Sequence, residues 1–294
     1  MAHAVCGGDP ASGRGVDHLG EVLGGRYELV DLLARGAQGV LYRAHDLKDG
    51  DDVAIKVLTN STRDPDALER MFREAHAMMQ LAGTAAVRVL DQVHTEDGEF
   101  CLVMELLRGR ELKERLVELE AAGERMTVAE ILRIFDPIVK TLEAARERGI
   151  VHRDIKPGNI FLLVGGGVRL LDFGFARLLR HKPLTRDGVV AGTPSHIPPE
   201  VWQRAPDLDH RVDVYALGVV LFRVLAGRPP FAGGLEEVAR AVVNDARPSL
   251  HALRSDLPPA IDDWVEHALA IDREKRFTRV LAMWNALRVC LRVA

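Results

Sequence analysis

Three short stretches near the start of the interpretable chain, residues 27–33, 40–44 and 53–58, alternate apolar with polar positions or run continuously apolar. Their length and their content of Val, Ile, Leu and Tyr predict strands. Turn residues separate them: Gly36-Ala37-Gln38-Gly39, then Asp49-Gly50-Asp51. A helix is predicted next. Asp64-Pro65 supplies a cap residue and a proline suited to a first turn, and Leu68, Phe72, Ala75 and Met79 recur at helical spacing. Two more strands are predicted around residues 86–92 and 100–104, joined through Asp97-Gly98. From Leu112 onward the period becomes mainly helical. Thr127-Val128-Ala129-Glu130 has the form of a capping box, and Leu132, Phe135, Val139, Leu142 and Ala145 form a stripe behind it. Pro137 is expected to kink that helix and Gly149 to close it. Residues 213–226 are apolar on most faces, which predicts a helix buried in the core. The pattern is α+β: a small β-rich lobe, a larger helical lobe, and an expected cleft between them.

The first 25 residues lack periodicity and are rich in Gly, Ala and Asp, so a flexible leader is expected there. The 294 residues are 47% hydrophobic, enough for one large domain or two lobes. A net charge of -4 gives no basic field for nucleic acid. Cys6, Cys101 and Cys290 lie far apart, which argues against a disulfide framework or a zinc site and fits a reducing compartment. No apolar run reaches bilayer-spanning length. No charged n-region leads into an apolar h-region, so a cytoplasmic location is expected, with an anchor beyond Ala294 left open.

The most informative string is His152-Arg153-Asp154-Ile155-Lys156-Pro157-Gly158-Asn159, with Asp172-Phe173-Gly174 following it. Phosphoryl transfer makes little covalent demand on a protein. It requires in-line placement of the reactants and neutralised oxygens. Asp154 can accept a hydrogen bond from an incoming hydroxyl, and Lys156 can reach the transferring phosphate. Asn159 and Asp172 offer the hard oxygen ligands that Mg²⁺ prefers. Residues 161–164 and 168–171 flank Gly165-Gly166-Gly167 and predict a short hairpin carrying Asn159 and Asp172 back to one metal site. In the small lobe, Val53-Ala54-Ile55-Lys56 places a lysine on a strand, and Glu74 lies on the following helix. Together these two could hold the α- and β-phosphates of a nucleotide. Gly36 and Gly39 would let backbone N–H groups approach phosphates.

Taken in order, these residues resemble the eukaryotic-type Ser/Thr protein kinase family over residues 27–294, nearly the whole chain, with the composition of bacterial members. The resemblance implies a bilobal kinase fold with domain limits 26–294, divided into lobes 26–104 and 109–294 by a hinge at 105–108. It implies ATP with Mg²⁺, or Mn²⁺, as cofactors and Ser/Thr-containing proteins as substrates, with autophosphorylation and a homodimer as further options. Met104 would be the gatekeeper, and Glu105 to Leu107 would bond the adenine edge through backbone groups. Leu41, Ala54 and Phe161 would pack the adenine, with Glu111 near the ribose. Thr193 would bond Asp154 and Lys156, Glu200 would pair with Arg276, and Asp213 would brace the catalytic loop. Arg153 implies a phosphate on the activation segment, with Thr185 the first candidate acceptor and Ser195 the second.

Four departures stand out. Ala34 replaces the first loop glycine, Gln38 sits at the loop tip, Leu41 stands where valine is usual, and Ser195-His196-Ile197-Pro198 differs from the common stretch. Ala34 and the altered 195–198 stretch motivate an alternative, a pseudokinase scaffold. A small-molecule phosphotransferase of kinase-like fold is a third reading. None of the departures removes a catalytic side chain.

Overall fold

The computed structural model describes residues 18–36, 39–58, 75–76, 78–173 and 194–292. The chain divides into a sheet unit that runs through Gly109 and a mainly helical unit that begins at Arg110.

The sheet unit holds β1 (Val22–Leu23), β2 (Tyr27–Gly36), β3 (Gly39–Asp46), β4 (Asp52–Val57), β5 (Val89–His94) and β6 (Phe100–Glu105). They form one sheet in the order β1-β2-β3-β4-β6-β5, and each neighbouring pair is antiparallel. Alternation sorts the side chains. Val40, Tyr42 and Ala44 of β3, Val53, Ile55 and Val57 of β4, and Cys101 and Val103 of β6 are buried in one cluster with Leu23, Tyr27 and Leu29. The pleat turns the intervening residues, Leu41, Ala54, Lys56 and Met104, to the opposite face.

Three expectations change here. The leader ends earlier than residue 25, because Leu23 is buried and β1 pairs with β2 at Val22↔Glu28. The fourth predicted strand begins at Val89 rather than near Ala86. Arg88 is held irregularly, its N–H donating to Glu105 Oε1 at 2.7 Å while its carbonyl accepts the Glu105 N–H at 3.0 Å. Glu105, assigned to the hinge, is the last residue of β6. The helix predicted from Asp64 lies mostly outside the described residues, which retain helical Ala75, His76, Met78 and Met79.

The β2–β3 turn explains one of its glycines. Gly39 has φ +146°, and a Cβ there would lie 2.0 Å from the carbonyl oxygen of Val57 on β4. A Cβ on Gly36 would meet nothing nearer than 4.0 Å. Gly39→Ala should therefore cost at least about 2 kcal/mol, through strain and displacement of a β4 carbonyl. Gly36→Ala should stay within about 1 kcal/mol. Thermal unfolding of the two variants side by side checks this; equal midpoints would refute it.

β7 (Gly109–Glu111) starts at the boundary, and the helical unit then contains α1 (Leu112–Ala122), α2 (Val128–Glu147), β8 (Ile160–Leu163), β9 (Val168–Leu170), α3 (Pro199–Trp202), α4 (Arg211–Ala226), α5 (Leu235–Asn244), α6 (Leu250–Leu253), α7 (Ile261–Ala268) and α8 (Val280–Cys290). The capping box forms as predicted: Thr127 Oγ1 accepts the Glu130 N–H at 3.2 Å, and Glu130 Oε2 accepts the Thr127 N–H at 2.9 Å. Pro137 lies inside α2 without ending it, and Gly149 follows its C-cap at φ +71°. Fourteen of the sixteen residues of α4 are buried, as the unbroken apolar run required. Gly218 makes room on α4, where a Cβ would press on Leu269 and Ala268 at 3.1 and 3.2 Å. Cys101 is buried, and burial pushes its thiol up to about 12, which fits an inert thiol.

Candidate active site

The string from His152 to Asn159 is held from beneath. Asp213, in the first turn of α4, accepts the N–H groups of both His152 and Arg153 at 2.8 Å. Those bonds secure an unfavourable backbone, since Arg153 sits at φ +65°, a left-handed conformation in which its Cβ is crowded. Burial pushes the Asp213 carboxyl up, and the two donated N–H groups oppose that rise. The bracing role expected for Asp213 is what the structure contains.

His152 is fully buried and joins the two halves of the motif. Its Nδ1 accepts the Asp154 N–H at 3.2 Å, and its Nε2 meets the Leu171 carbonyl at 2.9 Å. Only the neutral Nε2–H tautomer satisfies both, and burial favours it by pushing the imidazole pKa down. The ring also lies against buried Phe173, with centroids 4.5 Å apart. Sequence reading singled out this histidine only as part of a string. Its link to Leu171 spans nineteen positions and leaves no local signal.

Around Asp154 the chemistry converges. Lys156 Nζ donates to Asp154 Oδ2 at 2.8 Å. Asn159 Nδ2 donates to the Asp154 carbonyl at 2.7 Å and to Asp154 Oδ2 at 3.0 Å. The two acceptors fix the orientation of that amide: its NH₂ faces Asp154, so its oxygen faces away and is the atom suited to a metal. An aspartate at 159 would set two carboxylates against one another, which accounts for asparagine as the residue type.

The hairpin has the predicted form. β8 and β9 pair at Ile160↔Leu170, Phe161↔Arg169 and Leu162↔Val168, and the Leu171 N–H returns to the Asn159 carbonyl at 2.8 Å. Asp172 follows directly in the chain, at φ +55°. Phe161 is half-buried on β8. Glu111, at the N-cap of α1, lies so near Gly158 that a Cβ there would come within 3.3 Å of its Oε2. Gly158 is small because a carboxylate occupies the adjoining space.

In the sheet unit the register sets Leu41 opposite Lys56 and Ala54 opposite Met104, so the four share one face. Lys56 is half-buried there, and Ala54 and Met104 are buried. Gly36 and Gly39 pair at the end of the β2–β3 hairpin, and Leu107 is half-buried beyond β6. Glu74, Gly174, Thr185 and Thr193 lie outside the described residues.

Further along, Glu200 and Arg276 form the expected pair as a two-pronged bridge of 2.7 and 2.6 Å. Ser195, the second candidate phosphate acceptor, needs correction: its side chain is fully buried and its hydroxyl has no hydrogen-bond partner among the described residues. A dianionic phosphate could not be accommodated there without moving the segment. Burial of Ser195 is a matter of packing, which the local sequence Pro194-Ser195-His196 does not reveal.

A brace, a lysine–aspartate–asparagine cluster and a short hairpin thus lie in a fold of antiparallel sheet followed by helices. Comparison with known proteins agrees. Residues 27–287 match the protein kinase domain family, and the chain belongs to that family. It is 35% identical over 286 residues to serine/threonine-protein kinase Pkn1 of Myxococcus xanthus, which covers 94% of this chain and 40% of that one. It is 36% identical over 265 residues to serine/threonine-protein kinase PknA of Mycobacterium tuberculosis, covering 88% of this chain and 60% of that one. This chain thus spans about half the length of such relatives. The crystal structure of the M. tuberculosis PknI kinase domain superposes with a TM-score of 0.72 at 25% identity, covering 93% of this chain and 98% of that one.

Proposed function

We propose that the protein transfers the γ-phosphate of ATP to Ser and Thr hydroxyls of proteins. The observation that carries this reading is the cluster at Asp154, where Lys156 Nζ at 2.8 Å and Asn159 Nδ2 at 3.0 Å share one carboxylate oxygen. Serine/threonine kinase relatives across most of the chain support the choice of acceptor. Asp154 would orient the incoming hydroxyl and accept its proton, while Lys156 would neutralise the oxygens of the transferring group.

The donor set fits the cofactor. An amide oxygen turned away from Asp154 and a carboxylate delivered by the hairpin are hard ligands of the kind Mg²⁺ takes, with Mn²⁺ as an alternative. Asn159 and Asp172 would hold that ion, which supplies neutralisation of the phosphate oxygens when bound. Lys56 and Glu74 would take the α- and β-phosphates, and Gly36 and Gly39 would approach them through backbone. Leu41, Ala54, Met104 and Phe161 would cover the adenine, Glu105 and Leu107 would bond its edge, and Glu111 would meet the ribose. Among the described residues no helix is long and apolar enough to cross a membrane, and we read the domain as working in the cytoplasm.

Incubation with labelled ATP and Mg²⁺, followed by mass-spectrometric mapping of phosphosites, tests the proposal. Phosphoserine or phosphothreonine on the protein or on a generic basic substrate is expected, with Thr185 modified in preference to buried Ser195. Nucleotide binding with no transfer under any divalent ion would favour the scaffold reading. Transfer confined to small alcohols would favour a small-molecule phosphotransferase.

A further inference from the structure

The segment just before β1 lies outside the 27–287 match to the kinase domain family, yet it is fastened to the sheet unit by an unusual contact. His18 is buried, with 6% of its side chain exposed, and both ring nitrogens face carboxylates. Nδ1 is 2.7 Å from Glu21 Oε2, and Nε2 is 3.2 Å from Glu99 Oε2 in the turn between β5 and β6. The Tyr42 ring of β3 packs edge-on against the imidazole, with centroids 6.3 Å apart. The Cys101 thiol of β6 also lies within the field of both carboxylates. The other Glu21 oxygen, Oε1, accepts the Glu96 N–H at 2.9 Å. Backbone bonds complete the fastening: Gly20 N–H to the Leu29 carbonyl at 2.8 Å, and Leu29 N–H to the Glu21 carbonyl at 2.9 Å.

A neutral imidazole carries one N–H. With carboxylates on both sides, its second nitrogen would set a lone pair against an anion, and no rotation of the ring removes that conflict. The imidazolium, with two donors, satisfies both contacts. We propose that His18 is a proton-dependent latch. As the imidazolium it pins the segment entering β1 to the β5–β6 turn, and on losing a proton it releases that segment. Because the fastened geometry needs two ring N–H donors, the hold is present while the ring carries both protons and is lost when it gives one up.

Ring-nitrogen NMR combined with amide hydrogen exchange tests this. His18 signals are identified by their disappearance in His18→Gln. Both ring nitrogens should carry protons wherever the segment is fastened. Protection factors of the Gly20 and Glu96 amides should fall at least about tenfold on deprotonation, the loss expected of one charge-assisted hydrogen bond. In His18→Gln they should be low at every pH. Glu99→Gln, which removes one anion and leaves Glu21 in place, should lower the pH at which the two amides lose protection. It also keeps the test open should His18→Gln fail to fold. A singly protonated ring while the segment is fastened, protection in His18→Gln equal to wild type, or an unmoved release in Glu99→Gln would each overturn the latch.

Discussion

Asp154→Asn is expected to reduce phosphoryl transfer by roughly 10²–10⁴-fold while the protein remains folded. The substitution keeps shape and removes charge. Lys156 loses the anion that holds it at 2.8 Å, and the incoming hydroxyl loses its proton acceptor. The fold has little reason to respond, because Asp213 carries the bracing of this loop through the His152 and Arg153 N–H groups. Asp172→Asn is a companion of equal cleanness. Asp172 sits at φ +55°, and asparagine is among the few residues that accept that backbone at low cost, so the variant probes ligand charge alone. Its transfer should demand a higher Mg²⁺ concentration. Labelled-phosphate incorporation alongside circular dichroism decides both cases, and wild-type incorporation in the two variants would remove the proposed chemistry from this site.

Arg276→Met should produce the largest loss of stability. The Arg276 side chain is 0% exposed and that of Glu200 is 8%. The guanidinium also donates to the Ala270 carbonyl at 2.8 Å and lies 5.0 Å from the centre of the Tyr215 ring. Methionine fills much of the volume but strands a buried carboxylate and several buried carbonyls. Breaking such a pair costs about 3–5 kcal/mol, which would lower the melting temperature of this unit by roughly 5–15 °C. The double variant Glu200→Met/Arg276→Met removes both charges and should recover part of that loss. Calorimetry on the three proteins checks the order. A single variant as stable as wild type, or a double variant less stable than the single, would contradict it.

Much of the site is legible in the chain because its chemistry is compressed. Asp154, Lys156 and Asn159 fall within six residues, and a short hairpin links Asn159 to Asp172. Glycines at the hairpin turn and alternation along its strands are local signals, so the return of one end to the other could be expected. The capping box at Thr127 and the buried run of α4 are legible for the same reason, since period and cap chemistry are properties of neighbours. The offset at Val89 was not legible: Arg88 is held by Glu105, seventeen positions away. Nor was the limit of the leader, since a segment rich in glycine and lacking periodicity contains nothing that marks His18 as its point of attachment.

The main run of elements and the type of fold were legible in the sequence alone, because period, caps and turn residues are properties of near neighbours. The tertiary structure decided which polar groups are buried and against what. It placed Ser195 out of reach, gave Gly39 its reason in a β4 carbonyl, made His152 the link between Asp154 and Leu171, and set His18 between two carboxylates. These outcomes depend on contacts between distant parts of the chain. A polar residue carries the same letter on a surface as in a core, and only packing determines which it meets.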